Sequence, residues 1–392
     1  MNILLLAPQP FYQLRGTPIA VRLLAEALGK QGHRITLLTY HEGEDIEIPN
    51  VSIHRIPAIP FVKRIPPGPS LKKVICDVLL FRETNKLLKT RPYDLVHAVE
   101  ESSFIAAVMN RRYGIPFVYD MDSSMAQQIA EKFAPAGILN PLLRFLEGYA
   151  IRQSLAVVAV CRHLEEIVSA VDPAKPVLRL EDISLLGEGA EAEEDLREML
   201  RIDGKIIMYV GNLEKYQGVD LLLTSYREVA GETNRAHLVV VGGNARDIEK
   251  YRRRASRLML EDRVHFIGPR RLSNLGAYLE QADVLVSPRI RGANTPMKIY
   301  SYLDSGKPVV ATSLPTHTQV LDDDIAMMVP PDASAMARGI ITLLKDEEHG
   351  RGLARRAKER VRLEFCAEAY ERKLAGFYDH IEHAWIQPQP SQ

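Results

Sequence analysis

The stretch "NILLLAPQPFYQLRGTPIAVRLLAEALGKQGHRITLLTY", residues 2–40, decides the fold. "NILLLAP" (2–8) is an unbroken apolar run, the pattern of a parallel strand covered on both faces. The polar loop "QPFYQLRGTP" follows, and "IAVRLLAEALGKQG" then carries apolar residues at helical spacing and stops at Gly32. "HRITLLTY" (33–40) is the next strand. Strand, loop, helix and strand in this order make a βαβ unit, which puts the chain in the doubly wound α/β class.

The alternation continues outward. "YDLVHAV" (93–99), "IPFVYDM" (115–121) and "LAVVAVC" (155–161) read as strands, with helical stretches between them. It weakens over 183–204, where "EGAEAEEDLREML" is acidic and strand-poor, and restarts at "KIIMYVG" (205–211). Five more apolar runs follow: "HLVVVGG" (237–243), "RVHFIGP" (263–269), "ADVLVSP" (282–288), "KPVVATS" (307–313) and "AMMVPP" (326–331). The expected organisation is a first Rossmann-like domain over 1–182, an interdomain segment over 183–204, and a second Rossmann-like domain over 205–365. A last helix and tail occupy 366–392, with "IQPQPSQ" unstructured. Two such domains are expected to face each other across a cleft, where strand-end loops bind ligands.

Bulk composition narrows the function. The chain has 392 residues, with 50 Lys and Arg against 50 Asp and Glu. That balance argues against a general nucleic-acid binder, although "YRRRASRLML" (251–260) is locally basic. Three dispersed cysteines and the absence of an HExxH-like pattern give no metal site and fit a reducing cytoplasm. No run reaches the roughly 18 apolar residues of a membrane span. The Pro-rich, mixed apolar and basic loop "IPAIPFVKRIPPGPSLKK" (56–73) leaves contact with the cytoplasmic membrane face open.

Three loops carry candidate chemistry. In the first, Gly16 and Thr17 open a helix where free N–H groups suit a phosphate or a sugar hydroxyl. The equivalent loop of the second half holds Gly211, Asn212, Lys215 and Gln217. The third, "SPRIRGANTPMKIYSYLDSGKPVV" (287–310), gathers Arg289, Arg291 and Lys298, with Asn294 and Thr295 placed to cap the helix that follows. Three cations beside a helix start suit a diphosphate. Neither half has the GxGxxG spacing of a dinucleotide site, which counts against a dehydrogenase. In the first half, Asp120 and Asp122 end one strand and Glu100 and Glu101 end another; carboxylates so placed guide protons or cap helices. His97, inside an apolar strand, reads as a buried, hydrogen-bonded histidine.

"RGTPIAVRLLAEALGKQGHRITLLTY", "VGNLEKYQGVDLLL", "FIGPRRLSNLGAYLEQADVLVSP" and "KIYSYLDSGKPVVAT" together resemble the retaining glycosyltransferases of family four, over roughly residues 1–345. The resemblance implies a GT-B fold with the final helix crossing back to the first domain. It implies a nucleoside-diphosphate sugar donor in the second half, UDP or GDP favoured, and a saccharide or lipid-linked acceptor against the first. Transfer retains anomeric configuration without a metal or other cofactor, as in cell-envelope polysaccharide or glycolipid synthesis.

The departures from the family pattern matter as much. Asn212 stands where the family often has Arg, Gln217 where a Lys grips the diphosphate, and Ala293 and Ser301 where it has two glutamates. Asp122 matches a strand-end histidine. The expectation is that Lys215, Arg289, Arg291 and Lys298 replace the missing cations, that Ser301 meets the ribose, and that Asp122 orients the acceptor. The competing readings are a lipid-linked donor, a non-catalytic sugar-nucleotide-binding or scaffold subunit, and a sugar-nucleotide epimerase or hydrolase.

Overall fold

The computed structural model describes residues 1–13, 16–66, 68, 70–127, 140–187 and 194–386. Arg15 of the first candidate loop and residues 387–392 of the tail lie outside them. The chain forms two compact units, one of Met1–Glu181 with Tyr370–Gln392 and one of Asp182–Ala369.

The first unit is built on seven parallel strands: β1 Asn2–Ala7, β2 Arg34–Thr39, β3 Val51–Arg55, β4 Leu95–Val99, β5 Phe117–Met121, β6 Ala156–Ala159 and β7 Val177–Arg179. Their order is β3-β2-β1-β4-β5-β6-β7. The apolar runs do what their composition demands: Ile3 to Ala7 and Leu95 to Val99 are buried throughout. Each fully buried aliphatic side chain there contributes about 1.5–3 kcal/mol. The second sheet has six parallel strands, β8 Lys205–Val210, β9 Ala236–Val241, β10 Val264–Gly268, β11 Val284–Ser287, β12 Val309–Thr312 and β13 Met327–Val329, in the order β10-β9-β8-β11-β12-β13. In both sheets the winding reverses direction once, between β1 and β4 and between β8 and β11. Loops leaving the carboxyl ends of strands flanking such a switch point diverge, and the gap between them is where open α/β sheets take ligands.

The stretch expected as a connector packs into the second unit instead. Leu196 is fully buried, Arg197 pairs with Asp283 at 3.1 Å, and the Ser184 hydroxyl donates to Asp304 at 2.6 Å. The helix Ala367–Ile381 returns to the first unit. Its Tyr378 is fully buried, Glu371 pairs with Lys30 at 2.5 Å and Lys373 with Glu181 at 3.0 Å. Three elements had no strong sequence signal: strands β3 and β7 and the helix Leu71–Thr90. Among the described residues no helix is long and apolar enough to cross a membrane. The basic run of the helix Ala245–Arg257 is largely spent locally, Arg253 on Glu249, Arg254 on Asp220 and Arg252 on the Phe266 carbonyl.

Candidate functional site

In the second unit the site forms at the switch point, from the loop after β8 and the loop after β11. Strand β8 ends at Val210, and Gly211 follows at φ +149. A Cβ on Gly211 would lie 3.1 Å from the Tyr209 hydroxyl and 3.2 Å from the Lys298 ammonium, so the missing side chain is what lets these two groups reach the strand end. Tyr209 is fully buried on β8 and its hydroxyl donates to the Asn212 carbonyl at 2.6 Å, fixing the turn. The Asn212 side chain accepts the Glu214 N–H at 3.3 Å, and Lys215 is exposed in a single 3-10 turn that ends at Gln217.

Lys298 comes in from the first position of the helix Lys298–Asp304. Its ammonium lies 3.9 Å from the centre of the Tyr209 ring and donates to Gln217 Oε1 at 3.3 Å. Among the described residues no carboxylate pairs with it. Burial, with the nearby Arg289 charge, holds its basicity well below that of an ordinary lysine. Desolvation always disfavours the charged form, and the Arg289 charge acts in the same direction.

Arg289 is the second convergent cation. Its Nε donates to the Arg291 carbonyl at 2.9 Å and one terminal nitrogen to the Asn294 carbonyl at 3.0 Å, so residues 289–294 wrap around the guanidinium. Gly292, at φ +120, makes that wrap possible, since a Cβ there would meet the guanidinium at 2.6 Å. The guanidinium carbon lies 5.1 Å from the Tyr216 ring centre. Behind the loop, fully buried His317 links Ser287 (2.9 Å) to Thr312 (3.1 Å between side chains), and burial lowers its pKa to about 3. A histidine held neutral in this way ties the end of β11 to the end of β12 and adds no charge.

The structure thus brings Gly211, Asn212, Gln217, Arg289 and Lys298 together, while the side chains of Lys215 and Arg291 are exposed. Two expectations are corrected. The helix begins at Lys298, after Pro296, so Asn294 and Thr295 do not cap it. Asn294 serves through its carbonyl, which also accepts the Thr316 hydroxyl at 2.5 Å. The Thr295 hydroxyl is buried and, among the described residues, has no hydrogen-bond partner. With only seven residues in that helix, the charge of the site resides in Lys298 and Arg289 and not in a helix dipole. Ser301 is fully buried and its hydroxyl accepts the Leu185 N–H at 3.0 Å. A hydroxyl so enclosed presents no surface to a ribose, and its work is to anchor the segment that enters the second unit. Sequence reasoning missed Tyr209, Tyr216 and His317. Their only signal was a polar-tipped residue near a strand end.

The corresponding region of the first unit has the opposite charge. Gly16 starts the helix Gly16–Lys30, with open space where a Cβ would stand, and Thr17 is its second residue. After β4, Glu100 adopts φ +48, a conformation that costs a non-glycine residue about 1–3 kcal/mol and concentrates at functional positions. Its carboxylate accepts the Ser123 hydroxyl at 2.9 Å, and burial with the neighbouring Glu101 charge raises its pKa. Glu101 forms an ion pair with Lys73. Burial opposes the charge of Lys73, yet Glu101 and Glu100 outweigh it and raise its basicity. Asp77 accepts the Tyr40 hydroxyl at 2.5 Å, and burial, reinforced by Glu101, pushes its pKa up to about 7. His97 is buried as expected, bridging Tyr378 (2.5 Å) and Asp120 (3.1 Å). Asp122 is half-buried at the end of β5, next to Ser123. Among the described residues no group of three His, Cys, Asp or Glu is arranged to hold a metal.

A nucleotide-type α/β scaffold with two cations, Arg289 and Lys298, at one switch point and crowded carboxylates at the other defines a class, and comparison with known proteins gives the family. The model "Glycosyl transferases group 1" matches residues 204–346, and "Glycosyl transferase 4-like domain" matches residues 15–179. The phosphatidyl-myo-inositol mannosyltransferase of Mycolicibacterium smegmatis is 23% identical, over 100% of this chain and 97% of its own length. The alpha-monoglucosyldiacylglycerol synthase of Streptococcus pneumoniae is 22% identical over 82% of this chain and 74% of its own. Among solved structures, the sucrose-phosphate synthase of Thermosynechococcus elongatus superposes with a TM-score of 0.81 at 21% identity, covering 98% of this chain and 99% of that one. The chain belongs to the family-four glycosyltransferases and is a glycosyltransferase of the GT-B fold.

Proposed function

We propose that the protein transfers a sugar, with retention of anomeric configuration, from a nucleoside-diphosphate sugar to a saccharide or lipid-linked acceptor. The setting is cell-envelope polysaccharide or glycolipid synthesis on the cytoplasmic side. The observation that carries this reading is the Lys298 ammonium, 3.3 Å from Gln217 Oε1. Gln217 stands where the family resemblance has a diphosphate-gripping lysine. A cation delivered from the other loop of the switch point sits against that very side chain. Arg289 stands in the same loop cluster and supplies the second charge. The family's cations are therefore relocated and not lost.

In the proposed step the anomeric C–O bond to the diphosphate breaks. The leaving oxygen gathers negative charge, which Lys298 and Arg289 stabilise, the largest usual contribution in such chemistry. The acceptor oxygen bonds to the anomeric carbon, and its proton passes to the leaving diphosphate, so no protein nucleophile is needed. Asp122 orients the acceptor hydroxyl, while Gly16 and Thr17 offer N–H groups to donor or acceptor. Asn212, the Thr295 hydroxyl and the Gly211 backbone complete the donor contacts. UDP and GDP are the favoured leaving groups, consistent with an Anabaena protein of the same fold solved with UDP-glucose (TM-score 0.73, 17% identity). The two cations supply the charge a metal supplies elsewhere, so turnover is expected to survive EDTA.

A lipid-linked acceptor is favoured by one surface of the first unit. Buried Val62 and Ile65 anchor the loop before the helix Leu71–Thr90, which leaves Phe61 79% exposed beside Lys63 and Arg64. On that helix Leu71, Val74 and Val78 are exposed at i, i+3 and i+7, with Lys72 between them. An apolar stripe flanked by cations suits an anionic bilayer. The paired replacement Phe61→Ser with Leu71→Ser is expected to weaken sedimentation with phosphatidylglycerol vesicles several-fold. Unchanged sedimentation would remove this surface from the account.

The direct test incubates the protein with UDP-hexoses and GDP-hexoses, with and without bacterial lipid extract. Nucleotide release that requires the extract supports transfer. Equal release without acceptor would make the protein a hydrolase, and no release with any donor would remove the reading.

A further inference from the structure

In the donor loop 289–294 the carbonyls of Arg289, Arg291, Ala293 and Asn294 all accept hydrogen bonds from side chains. The segment that follows β12 supplies the donors from behind. Thr312, at the end of β12, donates its hydroxyl proton to the Arg289 carbonyl at 2.6 Å. Thr316, in the short turn Pro315–Thr318, donates to the Asn294 carbonyl at 2.5 Å, and the Gln319 amide to the Ala293 carbonyl at 2.6 Å. A carbonyl oxygen carries partial negative charge, so one left facing a diphosphate opposes its binding. Thr295 is the contrast. Its hydroxyl is buried and, among the described residues, has no hydrogen-bond partner. The loop thus satisfies its acceptors within the protein and leaves a hydroxyl for a ligand.

His317 sets the direction of the first of these bonds. Its Nδ1 lies 2.8 Å from the Thr312 carbonyl oxygen and 3.1 Å from the Thr312 hydroxyl, and its Nε2 lies 2.9 Å from the Ser287 hydroxyl. Ser287, Thr312 and His317 are fully buried, so water is no substitute for any of these partners. A carbonyl only accepts, so the neutral ring carries its proton on Nδ1 and takes the Ser287 proton at Nε2. With Nδ1 protonated, the Thr312 hydroxyl cannot donate to the ring, and its single proton goes to the Arg289 carbonyl.

We infer that Thr312, Thr316, His317 and Gln319 are positioning residues: they form a template that turns the carbonyls of loop 289–294 away from the donor diphosphate and sets Arg289 toward it. The inference rests on the reading that this loop binds a diphosphate, and it assigns the shape of that loop to a segment behind it.

The experiment is calorimetric titration with inorganic pyrophosphate, UDP and GDP, beside thermal unfolding of each variant. Thr312→Val with Thr316→Val in one chain keeps the side-chain shapes and removes both protons. It is expected to bind all three probes about tenfold more weakly, the order of one hydrogen bond. Thr312→Ser with Thr316→Ser returns the hydroxyls and is expected to bind within about threefold of the natural protein. His317→Asn keeps a donor in the place of Nδ1 and should follow the serine pair, whereas His317→Leu should follow the valine pair. Ser301→Ala is the control, lowering the unfolding midpoint without the loss of affinity. If the valine pair does not fold, the single Thr316→Val and Thr316→Ser variants decide in the same way. Affinity lost with valine and regained with serine supports the template. If the valine pair binds as tightly as the natural protein, or the serine pair as weakly as the valine pair, the template is wrong while the diphosphate reading stands. If the natural protein binds none of the three probes, the diphosphate reading falls and the inference falls with it.

Discussion

The two switch points of this molecule share a topology and differ in charge. Between β8 and β11 two cations converge with a ring face, an amide and backbone carbonyls around them, and burial lowers the basicity of the lysine. Between β1 and β4 the carboxylates Glu100, Glu101 and Asp77 crowd a single lysine, and burial raises the pKa of Glu100 and Asp77. The lesson is that the parallel sheet fixes only where a site opens. The first residues past each strand decide its chemistry. Cations at a strand end suit an anion; carboxylates crowded until one stays partly protonated handle hydroxyls and protons.

The largest expected effect breaks the cationic side. Replacing both Arg289 and Lys298 by Ala is expected to lower turnover by orders of magnitude, since one such charge-stabilising donor is worth about 100- to 1000-fold. The circular dichroism spectrum should stay native, as neither side chain belongs to the core clusters. Retained turnover would show that the cations are ornamental.

A smaller effect sharpens the acidic side. Asp77 has a folded pKa of about 7, above its unfolded value near 4. Its contribution to stability is therefore fully present below about pH 4 and is lost as the pH rises through about 7. Asp77→Asn is expected to flatten the fall in unfolding midpoint between about pH 4 and 7. An unaltered profile would mean that the carboxylates of this cluster are not coupled to folding.

The smallest effect separates structure from binding within the cationic unit. Ser301→Ala leaves the half-buried Leu185 N–H without its acceptor and is expected to cost about 1 kcal/mol of stability. Nucleotide affinity should stay within about twofold. A large loss of affinity would return Ser301 to the ribose.

These contrasts also mark what was legible in the sequence. Eleven of the strands announced themselves as apolar runs, because a strand covered on both faces has no polar side to show. Strand β3, "VSIHR", is a half-buried edge strand and carries too short an alternation to stand out. The helix Leu71–Thr90 is masked by charges and by the Pro-rich loop before it. At the site, Arg289 and Lys298 were visible as cations near a strand end. That Lys298 meets Gln217, and Tyr209 on another element, depends on packing between segments about 80–90 residues apart, which no local pattern encodes. Ser301 was misread for a related reason. Its place in the family pattern gave a position along the chain, whereas the direction of a buried hydroxyl is set by the segment packed against it.

The central claim is that Lys298 has taken over the task of a lysine at position 217, and exchanging the two residues tests it most directly. Lys298→Gln alone is expected to weaken binding of the cognate nucleoside diphosphate about 100-fold. Adding Gln217→Lys in the same chain should return affinity to within about tenfold of the natural protein, because the charge reappears about 3 Å from where it was lost. Affinity restored by the exchange supports a relocated cation. Affinity that stays lost, in a folded protein, or that never fell with Lys298→Gln, would contradict it.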